Sequence, residues 1–153
     1  SRKIENGVYS ISSNSESFIY ERKNFSFNPD MDFEIEAELK ITEGQLLAGG
    51  LIWGGTSNAL PDEWTMVMDL DRNVSIGNFG LQEYIRSPNF DTELNEFNRY
   101  TIRKIADKYY FYINGEAHNV IDYSTFEEKR YGFIVTPGSA IEIESFRVSF
   151  LNN

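Results

Sequence analysis

The chain has 153 residues, no cysteine, a single histidine and a formal net charge of −10. Its length suits one domain, residues 1–153, able to fold without a staple, and its composition excludes disulfides, thiolate metal sites and any site built on two imidazoles. The acidity argues against nucleic acid and anionic membranes as partners, no apolar run approaches the ~20 residues that span a bilayer, and no signal peptide is visible. The chain is therefore expected to be soluble, with its compartment undetermined. Its start at Ser1-Arg2-Lys3 fits an excised fragment of a longer protein.

In chain order, Gly7 to Ile11 and Ser17 to Glu21 read as two short strands across a Ser-rich turn, and Asn28-Pro29-Asp30 is a break. Phe33, Ile35, Ala37, Leu39 and Ile41 then alternate with Glu34, Glu36, Glu38 and Lys40. Period 2 predicts a strand with one face in the core and one in water. Leu46 to Gly54 is nearly continuous apolar sequence with three glycines, a central strand where another backbone, a ligand or a bend comes close. Thr56 to Asp62 is a polar loop. Glu63 to Asp69 alternates Trp64, Met66 and Met68 against Thr65, Val67 and Asp69, and Asp71-Arg72-Asn73 turns the chain. Val74 to Phe79 and Glu83 to Ser87 add two strands, and Pro88 to Asn98 is a polar loop or single helical turn.

Tyr100 to Ile105 and Tyr109 to Ile113 are rich in aromatic and β-branched residues, with Ala106-Asp107-Lys108 between them. Asn114-Gly115 follows, the pair best suited to φ > 0 at both centres of a type I′ hairpin. His118 to Asp122 extends a strand, and Ser124 to Lys129 fits a helical turn. Tyr131 to Val135 and Ile141 to Phe150 close the chain. In the last strand the apolar phase slips by one between Ile143 and Phe146, which predicts a β-bulge. Eleven or twelve short strands and no long helix predict an all-β protein, two antiparallel sheets packed face to face or a barrel.

Phe33 to Lys40 followed by Gly50-Leu51-Ile52-Trp53-Gly54 resembles the early strand pair of concanavalin A-like domains. Thr101 to Lys104 with Tyr110 to Glu116 is similar to their strand that ends in Asn-Gly, and Tyr131-Gly132-Phe133 with Ile141 to Val148 to their closing strands. Laminin-G-like jelly rolls and the domains known as 3-keto-disaccharide hydrolase or family 16 glycoside hydrolase-like, common in Bacteroidetes, are the nearest in pattern. The resemblance spans about residues 30 to 150. It implies a two-sheet antiparallel jelly-roll sandwich whose sugar-binding members use the concave sheet or the loops of its rim. It does not imply one function, because the fold hosts lectins, hydrolases and protein-binding modules.

Family 16 hydrolases carry Glu-x-Asp-x-x-Glu on one strand. Here Glu63 matches the first position, Thr65 replaces the Asp and Met68 the second Glu, so the catalytic motif is absent. The row Glu34, Glu36, Glu38 would suit a cation or acid/base work; the alternative is a solvated face neutralised across strands by Arg103 and Lys104. Calcium occurs in laminin-G relatives, and Asp62, Asp69, Asp71 and Asn73 supply oxygens, but the spacing of a calcium loop is missing. No cofactor is expected. Asp69 and Asp71 also suit turn formation.

A sugar site needs an aromatic platform with planar polar groups. Trp53 and Trp64 share the core phase, whereas Tyr110 and Tyr112 oppose Phe111 and Ile113 and should face outward. Gly50, Gly54 and Gly77 are expected to leave a groove beside these rings. The expected ligand-binding set is Glu34, Glu36, Thr65, Asp69, Arg103, Tyr110 and Tyr112, provided that they share one sheet face. The expected function is a non-catalytic recognition module for glycan or protein, most simply carbohydrate. The alternatives are a sugar-acting hydrolase using Glu34, Glu36 or Glu63, or a protein-interaction domain of a larger cytoplasmic protein.

Overall fold

A computed structural model describes residues 1–14, 16–24, 28, 30–44, 47–55, 63–78, 83–87, 95–123 and 129–151, the last-but-two segment, 83–87, by its backbone. The expected segments at 56–62 and 124–128, and most of 88–98, lie outside them. Among the described residues there are thirteen strands: β1 (Arg2–Glu5), β2 (Val8–Ser12), β3 (Ile19–Asn24), β4 (Phe33–Glu43), β5 (Leu47–Trp53), β6 (Trp64–Asp69), β7 (Val74–Asn78), β8 (Glu83–Ser87), β9 (Asn98–Ile105), β10 (Lys108–Ile113), β11 (Glu116–Asp122), β12 (Arg130–Val135) and β13 (Ala140–Phe150). They form a seven-stranded sheet, β1-β2-β13-β4-β9-β10-β11, and a six-stranded sheet, β3-β12-β5-β6-β7-β8. All pairings are antiparallel, and the architecture is a two-sheet jelly-roll sandwich.

The alternation in β4 has the predicted effect. Phe33, Ile35, Ala37, Leu39 and Ile41 are buried between the sheets. Ile102, Tyr109, Phe111 and Ile113 join them from β9 and β10, and Leu51, Trp53, Met66 and Met68 face them from the six-stranded sheet. Trp53 Nε1 donates to Tyr109 Oη at 3.3 Å, which satisfies an otherwise costly buried indole N–H. Trp64, which shares the core phase, and Val148 are only partly buried and pack against its margin.

Local signals also hold. Asn114 (φ 49°) and Gly115 (φ 85°) join Ile113 to its partner Glu116 in a two-residue loop. Gly50 in β5 is a close approach: a Cβ there would lie 2.0 Å from the Met66 carbonyl oxygen on β6. The bulge in β13 falls between Ile143 and Ser145, with Glu144 the extra residue. Strand β1 was not expected. It carries Arg-Lys-Ile-Glu at the edge of the larger sheet, and all four residues are exposed, so no buried face writes a period-2 pattern into it.

Candidate functional site

Five of the seven expected site residues come together. The outer face of the seven-stranded sheet carries two adjacent cross-strand rows. One runs Arg147 (β13), Glu36 (β4), Thr101 (β9), Tyr112 (β10); the next runs Ser149, Glu34, Arg103, Tyr110, Val120 (β11). These positions are out of phase with the core set, so parity turns them to the sheet's outer face.

The acidic row is neutralised across strands. Arg103 Nε donates to Glu34 Oε2 at 2.5 Å, and Arg147 Nη2 donates to Glu34 Oε1 at 3.3 Å and Glu36 Oε1 at 3.1 Å. Thr101 Oγ1 donates to Glu36 Oε2 at 3.3 Å. Glu34 is buried by its neighbours, while Arg103 and Arg147 keep 43% and 63% of their side chains exposed. The hydrogen bond to Glu34 raises the Arg103 pKa further. The Arg103 guanidinium lies 5.2 Å from the Tyr112 ring centroid, within cation–π range. Tyr110 and Tyr112 are half-buried. The result is a fixed platform of two rings beside paired planar charges.

Lys104 is not a partner of this row. It has the core parity, is buried at the end of β9, and donates to the Asp30 carbonyl at 2.6 Å and Asp32 Oδ1 at 3.4 Å. The neighbour that fills the role is Arg147. Its phase is readable only once the bulge at Glu144 is counted.

Thr65 and Asp69 do not join the five. Both belong to β6 of the other sheet and point to that sheet's own outer face, on the far side of the sandwich. Thr65 is buried and donates to the Gly77 carbonyl at 3.4 Å. Asp69 builds its turn: Oδ1 accepts from the amides of Asp71 and Asn73, each at 2.9 Å, and Asn73 Nδ2 reaches both carboxylate oxygens. Gly50 and Gly77 lie on this sheet too, away from Tyr110 and Tyr112, so they thin no floor beside those rings.

That second face holds a small buried cluster of Ile52, Val67 and Ile134 with Tyr20 packed on it. At its margin Glu63, 3% exposed, forms a forked ion pair with Arg22, at 2.6 Å from Nε and 2.9 Å from Nη2. Arg22 in turn lies 4.4 Å over the Tyr20 ring. Sequence reading missed Tyr20 and Arg22; their only signal is parity opposite Ile19 and Glu21. A retaining glycosidase needs two carboxylates about 5 Å apart. Glu63 and Asp69 stand six positions apart along one chain, roughly 20 Å at ~3.3 Å per residue.

His118 occupies the irregular step of β11, where Phe111 pairs with Asn119 and Tyr112 with Ala117. Burial lowers its pKa to about 4. Among the described residues no three His, Cys, Asp or Glu side chains gather as metal ligands, and no helix is long and apolar enough to cross a membrane.

No protein-family model matches the chain, and no curated protein matches it by sequence. Solved structures do match in shape. The carbohydrate binding module CBM66 from Bacillus subtilis superposes with a TM-score of 0.71 at 14% identity, over 97% of this chain and 91% of that one. The catalytic domain of an endo-1,3-β-glucanase (laminarinase) from Thermotoga petrophila gives 0.70 at 15% identity, over 99% and 81%. An alginate lyase of polysaccharide lyase family 7 gives 0.67 at 13%, over 99% and 82%. The class these likenesses define is the concanavalin A-like jelly-roll sandwich, and this chain has that fold.

Proposed function

We propose that the chain is a non-catalytic glycan-recognition module that binds on the outer face of its seven-stranded sheet. The observation that carries this reading is the convergence of Tyr110 and Tyr112 with Glu34, Glu36 and Arg103 on two adjacent cross-strand rows. A pyranose offers an apolar C–H face to an aromatic ring and hydroxyls to planar carboxylate and guanidinium groups. Here those groups are already held by one another, which lowers the entropy lost on binding. Two acids facing two arginines leave the platform near neutral, which suits an uncharged glycan better than a uronate on a protein of net charge −10. The printed functions of the structural neighbours, a carbohydrate binding module and a glucanase among them, agree with this class of ligand.

Two features favour recognition over hydrolysis. The catalytic strand pattern of family 16 is replaced at two of its three positions, and Glu63 is locked to Arg22. The test is an array of neutral and acidic oligosaccharides probed with the wild type and with Tyr112→Ala. Binding of neutral glycans that the variant loses supports the proposal. Release of shorter products from any bound glycan contradicts its non-catalytic part, and equal binding by the variant contradicts its site.

A further inference from the structure

A second recess lies between the two sheets at the opposite margin of the molecule. It lies where the β2 ladder ends, beside the bulge at Glu144. Strand β2 pairs with β13 only as far as Tyr9↔Ile143, so beyond that point β13 has no partner on the β2 side among the described residues. The same bulge turns Phe146 inward. There it stacks on Tyr131 with ring centroids 5.2 Å apart and meets Phe133 edge-on at 5.1 Å. The recess measures about 520 Å³, within the range of small-ligand pockets.

The lining is not that of a core. Strand β3 keeps its inward phase from Ile19 into Glu21 and Lys23, which sit beside Phe133 and Tyr131 of β12. Charged side chains thus hold positions that face aromatic ones. Across the opening, Ile4 on β1 shares the inward side of Tyr9 yet is 74% exposed. A Cβ added at Gly7 would meet nothing within 4 Å. Arg2 bonds Glu21, and the Tyr9 hydroxyl lies with both, so part of the polar wall is fixed. Arg2 and Lys23 balance Glu21 and Glu144.

We propose that this recess is a second saccharide site, separate from the Tyr110–Tyr112 platform, which takes a single neutral hexose unit or chain end. An aromatic floor suits the C–H face of a sugar ring. Carboxylate, guanidinium and phenol on one wall suit its hydroxyls, and the balanced charge favours a neutral ligand over an organic cation or anion. An acyl chain would fill the space but strip water from the paired Arg2, Glu21 and Tyr9 groups and return no hydrogen bond to their remaining donor and acceptor sites. The proposal rests on the glycan-module reading but occupies different residues, so the two fail separately.

The test is amide NMR on the labelled chain titrated with neutral gluco-, fructo-, galacto- and manno-disaccharides, and with decanoate as an apolar-chain control. A neutral sugar is expected to shift Tyr9, Glu21, Tyr131 and Phe146. Those shifts should persist in Tyr110→Ala/Tyr112→Ala, and the affinity behind them should fall about tenfold or more in Glu21→Gln, as loss of a charge-assisted hydrogen bond does. Thermal melting of Glu21→Gln confirms that the fold is kept. Shifts confined to the Tyr110–Tyr112 face overturn the second site and leave the first. Shifts confined to the recess support the second site and overturn the first. Decanoate alone shifting the recess, or no compound doing so, overturns the proposal; Glu21 and Lys23 would then serve only to blunt the edge strand.

Discussion

Arg103 Nε lies 2.5 Å from Glu34 Oε2 across the β4–β9 pair, and Arg147 approaches the other oxygen of the same carboxylate from β13. Glu34 is buried, while both arginines reach solvent. Removing the acid lets the arginines hydrate, so Glu34→Ala should cost only its hydrogen bonds, about 1–3 kcal/mol by urea denaturation. A double-mutant cycle with Arg103→Ala should return a coupling of about 1 kcal/mol or less, because Arg103 keeps 43% of its side chain exposed and solvent screens its end of the pair. A coupling of several kcal/mol would mean a far more enclosed pair than this one.

Gly115 has φ 85° in the β10–β11 turn. Asn114, beside it, accepts from the Arg99 amide at 2.8 Å and donates to Asn98 Oδ1 at 3.0 Å, tying the turn to β9. Gly115→Val forces a β-branched residue into the left-handed region and should cost about 1–2 kcal/mol. An unchanged melting temperature argues against the primed turn.

Gly50 tolerates no side chain, because what a Cβ meets is the Met66 carbonyl on β6 rather than a movable side chain. Gly50→Ala should cost about 3 kcal/mol or more, at or beyond the usual range for overpacking. A variant as stable as the wild type would show that β5 and β6 can part at this step.

His118 gives a pH signature. Its pKa is lowered to about 4 by burial, against about 6.5 in an unfolded chain. Between those values the unfolded chain binds a proton that the folded chain refuses. The associated stability is therefore fully present above about pH 6.5 and is lost as pH falls toward about 4. His118→Gln lacks this term, while the carboxylates titrate in both proteins. Melting curves should show the wild type losing more than the variant between about pH 7 and pH 4.5. Parallel losses would mean that the imidazole is free to charge in the fold.

Much of this was legible because strand parity is local. The alternation of Phe33 to Ile41 names the buried and wet faces of β4, and the slip between Ile143 and Phe146 names the bulge, without any knowledge of partners. Parity does not say which sheet a strand joins. Thr65 and Asp69 face away from the core as Tyr110 and Tyr112 do, but from the other sheet, and that division is set by long-range pairing. Lys104 departs from the expected pairing for a related reason: adjacent basic residues on a strand face opposite ways, and only Arg103 has the parity of Glu34. The recess beside Glu144 was hidden because Tyr9, Tyr131 and Phe146 have the phase of core residues. What opens it is the end of the β2 ladder, a property of pairing rather than of composition.

Isothermal titration of the strongest neutral oligosaccharide from the array into wild type and Tyr110→Ala/Tyr112→Ala is the most direct test of the central claim. Both rings lie outside the core phase, so the double variant should fold and melt within a few degrees of the wild type, as surface substitutions do. The account predicts that it loses the heat of binding to the sheet face while keeping that melting temperature. Undiminished affinity in a folded double variant would contradict it.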